Sequence, residues 1–200
     1  RLNTLGPLSL LDFARQCRRP VVFVHVSTAY VNGQLPGRIA EELLPENRTI
    51  RQLMEGKTSG APFDPEAEVA DCQRYCRAID AEAASPQRRQ VWQREILGQS
   101  RSRSLSEKRL EQLIEDRSRR WRERKLVEEG MRRGKAYGWN DVYTFTKALG
   151  ERLLVRRRQG LPLVIVRPSI IESSLQDPEP GWITGLKVAD PLIAAYGRGL

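Results

Sequence analysis

Two side chains in the second half of the chain have the types and the spacing for acid–base chemistry. Tyr143 and Lys147 lie four residues apart, so they share one face if this segment is helical. A free tyrosine titrates at about pH 10, and a neighbouring ammonium favours the phenolate and lowers that pKa. Such a pair can give a proton to a carbonyl oxygen that gains charge, or take one from an alcohol. The spacing alone also occurs by chance in many helices.

Hydroxyl groups that could hold the same oxygen follow an apolar run near the start of the chain. Ser27 and Thr28 come directly after Val21–Val26, and a second apolar run covers 161–166. Nearly continuous β-branched runs are typical of parallel strands that are buried on both faces. Parallel α/β sheets carry their chemistry at the carboxyl ends of the strands. We therefore expect one of these hydroxyls to lie near the tyrosine.

The elements that would position these groups alternate between helix and strand. A helix is predicted over 3–17, and a second helix, capped by Asn140 or Asp141, precedes the second strand. Helix, strand, helix, strand is the order of an α/β sheet with parallel crossovers. We predict a partial Rossmann-type, doubly wound parallel sheet in which 1–44 and 137–200 are parts of one domain.

The middle of the chain, residues 45–136, is predicted to be a large basic helical insertion. Apolar spacing and capping signals predict helices over 64–84, 86–98 and 105–133. Residues 86–135 hold 16 Lys and Arg against 8 Asp and Glu, which accounts for most of the net charge of +9. Two interpretations stay open: contact with an anionic partner such as a membrane surface or an acyl carrier protein, or a solvated face. No nucleic-acid partner is expected.

Composition limits the classes of protein to which the chain can belong. With 200 residues, 40% of them hydrophobic and 30% charged, the chain fits one domain or a part of a larger one, and not a disordered protein. Three cysteines without a Cys-x-x-Cys pair, and a single histidine, predict no metal site and a cytoplasmic protein, peripheral at a membrane at most. Core positions, rather than functional ones, are predicted for His25, Trp92, Trp121 and Trp139.

Taken together, the segments of the two flanks resemble one family. The resemblance rests on Val24–Gly33, Tyr143–Leu149, Leu161–Ile171 with its Val-Arg-Pro-Ser-Ile, and the turn Pro180-Gly181-Trp182. On these segments the chain resembles the extended short-chain dehydrogenase/reductases, and within them the fatty acyl-CoA reductases with their male-sterility-type NAD-binding domain. The resemblance covers about half of the chain, roughly 1–44 and 137–200, and leaves the middle unaligned.

The resemblance implies catalytic roles for four matched residues. Tyr143 would be the general acid, and Lys147 would contact the nicotinamide ribose hydroxyls and lower the pKa of the tyrosine. Thr28 matches the substrate-orienting hydroxyl of the family, with Ser27 as the adjacent candidate.

Further positions follow from the same resemblance. Asn3 falls where the family keeps an asparagine that holds a water in a proton relay, and helix capping is an equal alternative for this residue. Pro168, Ser169 and Ile170 would line the nicotinamide through backbone contacts. The family also binds the cofactor phosphates with a glycine-rich turn, but no Gly-x-Gly-x-x-Gly occurs here. We therefore expect a fragment, truncated at both ends, that is inactive alone.

The implied reaction is the NADPH-dependent reduction of a fatty acyl-CoA thioester to an aldehyde, and by a second hydride transfer to a primary alcohol. NADPH rather than NADH is implied by the family alone. Two alternatives remain. One is a reductase of another carbonyl or of a carrier-protein thioester in the same fold. The other is a basic helical module that binds an anionic partner, with the α/β parts as its scaffold.

Overall fold

The computed structural model describes residues 2–19, 21–56, 61–99, 105–185 and 190–199. Within these ranges the elements are, in chain order, α1 (Leu5–Arg15), β1 (Phe23–Val26), α2 (Ile50–Met54), α3 (Pro65–Ala84), α4 (Pro86–Gln99), α5 (Glu107–Tyr137), α6 (Val142–Arg157), β2 (Leu163–Val166) and α7 (Asp190–Gly197). A short 3-10 helix, Ala29–Asn32, follows β1. The chain divides into two compact units, Arg1–Arg167 and Pro168–Leu200.

Five helices, α1 and α3–α6, lie close to where the sequence predicts them, whereas α2 and α7 were not predicted. Local capping explains the starts of α3 and α6. Asp64 accepts a hydrogen bond from the backbone of Glu66 at 3.1 Å, and Pro65 occupies the first helical position of α3. Asp141, and not Asn140, caps α6, since its Oδ1 accepts from the backbone of Thr144 at 2.7 Å. The start of α6 is therefore fixed by the sequence immediately before it.

The two strands form the parallel pair that the apolar runs predict, in a register that pairs Val26 with Val166. Phe23 and Leu163 pack against buried leucines of α1 and α6, which cover one face of the pair. The other face is exposed, with relative exposures of 45–58% for Val24, Val26, Val164 and Val166. The prediction of strands buried on both faces is therefore wrong for these residues, because the described helices cover a single face.

The helices α3, α4 and α5 enclose a hydrophobic core of their own. Trp92 and Trp121 meet edge to face at 5.9 Å between ring centroids, surrounded by three buried isoleucines. Ion pairs on the surface join the helices: Arg89 with Glu111, Arg117 with Glu95, and Arg122 with Asp80. Many of the arginines in this basic region thus have acidic partners. Residues 45–136 lie within the first unit, and a separate insertion stays a prediction.

The turn between α5 and α6 sets how closely α6 approaches the end of β1. Gly138 ends α5 with φ +96°, and a Cβ there would lie 2.8 Å from the backbone nitrogen of Arg51. A Cβ on Gly33 would lie 2.5 Å from the Gly138 carbonyl oxygen. Trp139 is fully buried and donates from Nε1 to the carbonyl of Val31 at 2.8 Å. These contacts hold the start of α6 against the segment after β1.

The second unit contains α7 and the predicted Pro-Gly-Trp turn. Ser174 donates its backbone N–H to the carbonyl of Trp182 at 2.8 Å, and Gly181 donates to Ser174 at 2.9 Å. Gly181 has φ +81°, a conformation that favours glycine. In the part of the chain that the structure describes, no helix combines the length and apolar character needed to cross a membrane.

Candidate active site

Helix α6 carries both members of the tyrosine–lysine pair. Its buried side holds Phe145, Ala148 and Leu149, which pack with Val31 and other residues of the adjoining core. This packing leaves Tyr143 half exposed, at 50%, on the other side of the helix. Because Lys147 lies one turn further along, the phenol and the ammonium share a face, as the spacing predicts.

Lys147 reaches the end of the first strand. Its Nζ donates to the backbone carbonyl oxygen of Val26, the last residue of β1, at 2.9 Å. The ammonium therefore lies at the carboxyl end of a parallel strand, directly before Ser27 and Thr28. The side chain of Lys147 thus lies at the carboxyl end of a strand, which is where the sequence analysis expects catalytic groups.

The two candidate hydroxyl groups differ in the hydrogen bonds that they make. Thr28 is buried, and its Oγ1 accepts from the backbone of Tyr30 at 3.3 Å, which caps the 3-10 helix. Its hydroxyl proton remains available to a ligand, because accepting a hydrogen bond does not use the donor. Ser27 is also buried and donates its backbone N–H to Val166 at 2.7 Å, while its Oγ has no hydrogen-bond partner among the described residues. Their catalytic roles stay predictions.

Asn3 is held against α6. Its Nδ2 donates to Oγ1 of Thr146 at 3.3 Å, one residue before the lysine. The backbone carbonyl oxygen of Asn3 lies so near α6 that a Cβ on Gly150 would be 2.4 Å from it. Helix α1 begins at Leu5 with Thr4 at its N-cap, so the interpretation of Asn3 as a helix cap is wrong. The relay water stays a prediction.

The single histidine lies in the strand beneath this group. His25 is buried, as predicted, and its Nε2 has no hydrogen-bond partner in the described part of the chain. Burial lowers the pKa of His25, the charge of Lys147 lowers it further, and Glu151 opposes the shift. The imidazole is therefore held towards its neutral form. Three tryptophans, Trp92, Trp121 and Trp139, are buried as well.

Two charged residues of this region were not predicted to be part of the site. Glu151 lies on α6 one turn beyond Lys147, and Arg167 directly follows β2. The guanidinium donates from Nε and Nη2 to the two carboxylate oxygens of Glu151 at 3.0 and 2.6 Å. The spacing of Tyr143, Lys147 and Glu151, four residues each time, is the sequence signal that could have found the glutamate. Arg167 lies in the Val-Arg-Pro-Ser segment, but nothing in its spacing indicates the partner.

The predicted nicotinamide-lining residues fall in the second unit. Pro168, Ser169 and Ile170 are its first residues. Ser169 and Ile170 are exposed, and Pro168 is partly buried. Their backbone contacts to a cofactor therefore stay a prediction.

Comparison with known families gives a match along the whole chain. Residues 1–200 match the family of NAD-binding domains described as male sterility protein. The match runs through residues 45–136 as well. The resemblance quoted from the sequence covered about half of the chain and left the middle unaligned, and the family match covers that middle too.

Several individual proteins are similar to the chain. Probable fatty acyl-CoA reductase 5 of Arabidopsis thaliana is 36% identical over 200 residues, which are 100% of this chain and 32% of that protein. The chloroplastic fatty acyl-CoA reductase 2 of the same plant is 34% identical, over 99% of this chain and 26% of its own length. The alcohol-forming fatty acyl-CoA reductase of Simmondsia chinensis is 29% identical, over 99% and 32%. The chain thus spans about a third or less of these relatives.

Proposed function

The chain belongs to the male sterility protein family of NAD-binding domains, and we propose that it forms part of an NADPH-dependent fatty acyl-CoA reductase. The observation that carries the proposal is the Lys147 ammonium on the last carbonyl of β1, with Tyr143 on the same face of α6. The likeness to proteins named fatty acyl-CoA reductase supports the acyl-CoA substrate.

The residues at the end of β1 fit the nicotinamide end of such a cofactor. Ser27 Oγ is buried without a hydrogen-bond partner among the described residues, and Lys147 Nζ provides donors beside it. A ribose presents hydroxyls that both groups can bind, because one is an ammonium and the other can donate and accept. The chain has no Gly-x-Gly-x-x-Gly sequence, so the fit concerns this end of the cofactor alone.

When bound, the cofactor supplies the hydride, and the residues of this chain control the oxygen of the substrate carbonyl. Tyr143 gives its proton to that oxygen as charge develops on it. Thr28, or Ser27 beside it, donates a hydrogen bond to the same oxygen, and such stabilisation is usually the largest catalytic contribution. Asn3 would hold a water that returns a proton to the site, and its hydrogen bond to Thr146 on α6 supports this role.

The larger architecture and the products belong to the same proposal. The parallel pair with an exposed valine face supports a wider, doubly wound Rossmann-type sheet, since parallel sheets are normally covered on both faces. The carbon–sulfur bond of the thioester breaks and coenzyme A leaves as the thiol, so the products would be coenzyme A with a fatty aldehyde, a primary alcohol, or both, formed in the cytoplasm. Pro168, Ser169 and Ile170 would line the nicotinamide. Turnover of a carrier-protein thioester or another carbonyl would keep the site and change the substrate.

Substitution of the pair in the full-length protein tests the proposal. Tyr143→Phe and Lys147→Ala are each expected to lower acyl-CoA-dependent NADPH oxidation by about 10²- to 10⁴-fold, the size of a general acid–base contribution. Tyr75→Phe, which removes a phenol from α3, is the matched control and should keep the wild-type rate. Wild-type rates in both site variants would exclude the proposed chemistry. Parallel assays with NADH and with acyl-carrier substrates separate the cofactor and substrate alternatives.

A groove in the helical region supports a second role, which is contact with an anionic membrane surface. The groove lies between α4 and α5, has a volume of about 740 Å³, and has Trp92 and Trp121 among its lining residues. Arg120 and Arg124 lie along it, beside Arg117, which pairs with Glu95, and Asp116. The excess of cations next to apolar surface suits lipid headgroups.

Vesicle pelleting tests the membrane contact. The full-length protein is expected to sediment with vesicles that contain phosphatidylserine at low salt, and Arg120→Gln with Arg124→Gln is expected to reduce this. Neutral phosphatidylcholine vesicles are the control for surface charge. Equal sedimentation of the wild type and the double variant would contradict the role of the groove, and binding to acyl carrier protein instead would identify the other candidate partner.

A further inference from the structure

An unusually complete ion pair joins α6 to the end of β2. Arg167 donates from Nε and Nη2 to both oxygens of Glu151, at 3.0 and 2.6 Å. Its remaining nitrogen, Nη1, donates to the backbone carbonyl of Glu42 at 2.9 Å. The side chains of the pair are 16% and 6% exposed. Every nitrogen of the guanidinium therefore has a partner, and the carboxylate of the pair is buried.

The pair stands in line with the candidate catalytic residues. Tyr143, Lys147 and Glu151 succeed one another at intervals of four residues, so they project from nearly the same face of α6. Lys147 bonds to the last residue of β1, and Glu151 bonds to the residue that follows β2. Because the register pairs Val26 with Val166, these two anchors lie at neighbouring strand ends.

Two anchors on one face fix both the rotation and the height of a helix. An α-helix turns by about 100° and rises about 1.5 Å per residue, so a small slip moves every side chain on the face. Core packing holds the buried side of α6, and on the side that faces the strand ends the Lys147 bond fixes one point. The Glu151–Arg167 pair, one turn away and bidentate, fixes a second point, since a planar fork accepts one orientation of the carboxylate.

Stability alone gives a weaker account of this pair. Breaking a buried ion pair is costly, but replacing one with apolar residues is often neutral, so its presence indicates geometry more than stability. The chain offers a comparison in Arg133, which binds Glu68 at 2.9 Å with side-chain exposures of 10% and 7%. That pair joins α3 to α5, and neither of its residues bonds to a strand end.

We propose that Glu151 and Arg167 are positioning residues that orient α6, so that Tyr143 and Lys147 face the carboxyl ends of β1 and β2. The inference rests on the proposed function and adds to it the element that holds the acid in place. It predicts that loss of the fork damages turnover through geometry, with the charge of the site kept.

Arg167→Lys in the full-length protein tests the proposal, because it keeps the charge and removes the planar fork. We expect kcat to fall by about 10- to 100-fold, with KM for the acyl substrate nearly unchanged, since small misplacements of a catalytic group have effects of this size. The basic limb of the pH profile of kcat should also move. Amide hydrogen exchange over residues 142–147 should become faster.

Arg133→Lys is the matched control, and it should reduce stability while leaving kcat and the exchange of α6 unchanged. Glu151→Gln, nearly isosteric, serves as the second variant if Arg167→Lys does not fold. Wild-type kcat, pH profile and α6 exchange in the site variants would overturn the proposal, as would a loss of stability alone. If the wild-type protein reduces no acyl-CoA, the proposed function fails, and hydrogen exchange still decides whether the pair positions α6.

Discussion

The helical region α3–α5 and the strand-end region around β1, β2 and α6 satisfy their polar groups differently. Arg133, in the helical region, meets three carboxylates at 2.6 to 2.9 Å. Among the described residues, the buried side-chain nitrogen and oxygen atoms without a hydrogen bond lie outside α3–α5. They are His25 Nε2, Ser27 Oγ, Asn32 Oδ1, Glu46 Oε2 and Arg152 Nε.

The two regions also differ in how far their apolar side chains are buried. Trp92 and Trp121 are enclosed by their helices, whereas Val24 and Val166 face solvent. A buried polar atom without a partner costs free energy, and folded proteins keep few of them. The contrast indicates that the helical region closes its own core, and that the strand-end region leaves polar atoms and apolar surface open to further contacts, among them a ligand.

The largest predicted effect on stability tests whether the helical region is a self-contained core. Trp121→Ala removes a buried ring that contacts Trp92, so we expect a loss of about 3–5 kcal/mol in the free energy of unfolding. Urea unfolding measures this loss. Trp121→Phe, which keeps an aromatic ring, should lose much less. Turnover per folded molecule should stay at the wild-type value, and a fall in kcat in the folded fraction would contradict the separation of the two regions.

The helical region was also easier to predict from the sequence than the strand-end region. The helical starts at Asp64 and Asp141 depend on neighbours two or three residues away, so capping signals suffice to place them. The exposed strand face was not predicted, because burial depends on what packs against Val24 and not on its own sequence. The shared face of Tyr143 and Lys147 could be predicted, because the two residues lie one helical turn apart in the sequence. The partner of Arg167 is 16 residues away, and no local pattern identifies it.

The next prediction concerns the two hydroxyls at the end of β1. Thr28→Ala is expected to lower turnover by about 10²-fold, as the removal of one donor to a developing oxyanion does. Ser27→Ala should lower it less, and steady-state kinetics of the full-length protein compare the two. Thr28→Ser, which restores the hydroxyl, is the control. A larger loss of turnover in Ser27→Ala than in Thr28→Ala would assign the hydrogen bond to the oxyanion to Ser27. The Oγ of Ser27 has no hydrogen-bond partner among the described residues.

A smaller effect is expected where the N-terminal segment meets α6. A Cβ at Gly150 would lie 2.4 Å from the backbone oxygen of Asn3, so Gly150→Ala must push this segment away. We expect a loss of about 1–3 kcal/mol, the usual range for overpacking, by thermal or urea unfolding. Gly98→Ala in α4 is the matched control, because among the described residues no atom beyond its own helical turn and chain neighbours lies within 4 Å of the added Cβ. Equal stability of both variants and the wild type would contradict the tight contact.

The smallest effect is the pH dependence that His25 contributes. Burial lowers its pKa in the folded protein, so the unfolded chain binds the proton more readily, and stability falls as the pH drops below about 6.5 towards the lowered pKa. The slope cannot exceed about 1.4 kcal/mol per pH unit for one group. His25→Asn should lack this loss in urea unfolding between pH 8 and pH 5. Losses at lower pH, where Asp71 and Glu129 gain protons that their arginine partners oppose, should be common to both proteins. Parallel pH curves for the wild type and the variant above pH 5 would show that the imidazole keeps access to water, and that the strand-end region is less dry than its unpartnered atoms indicate.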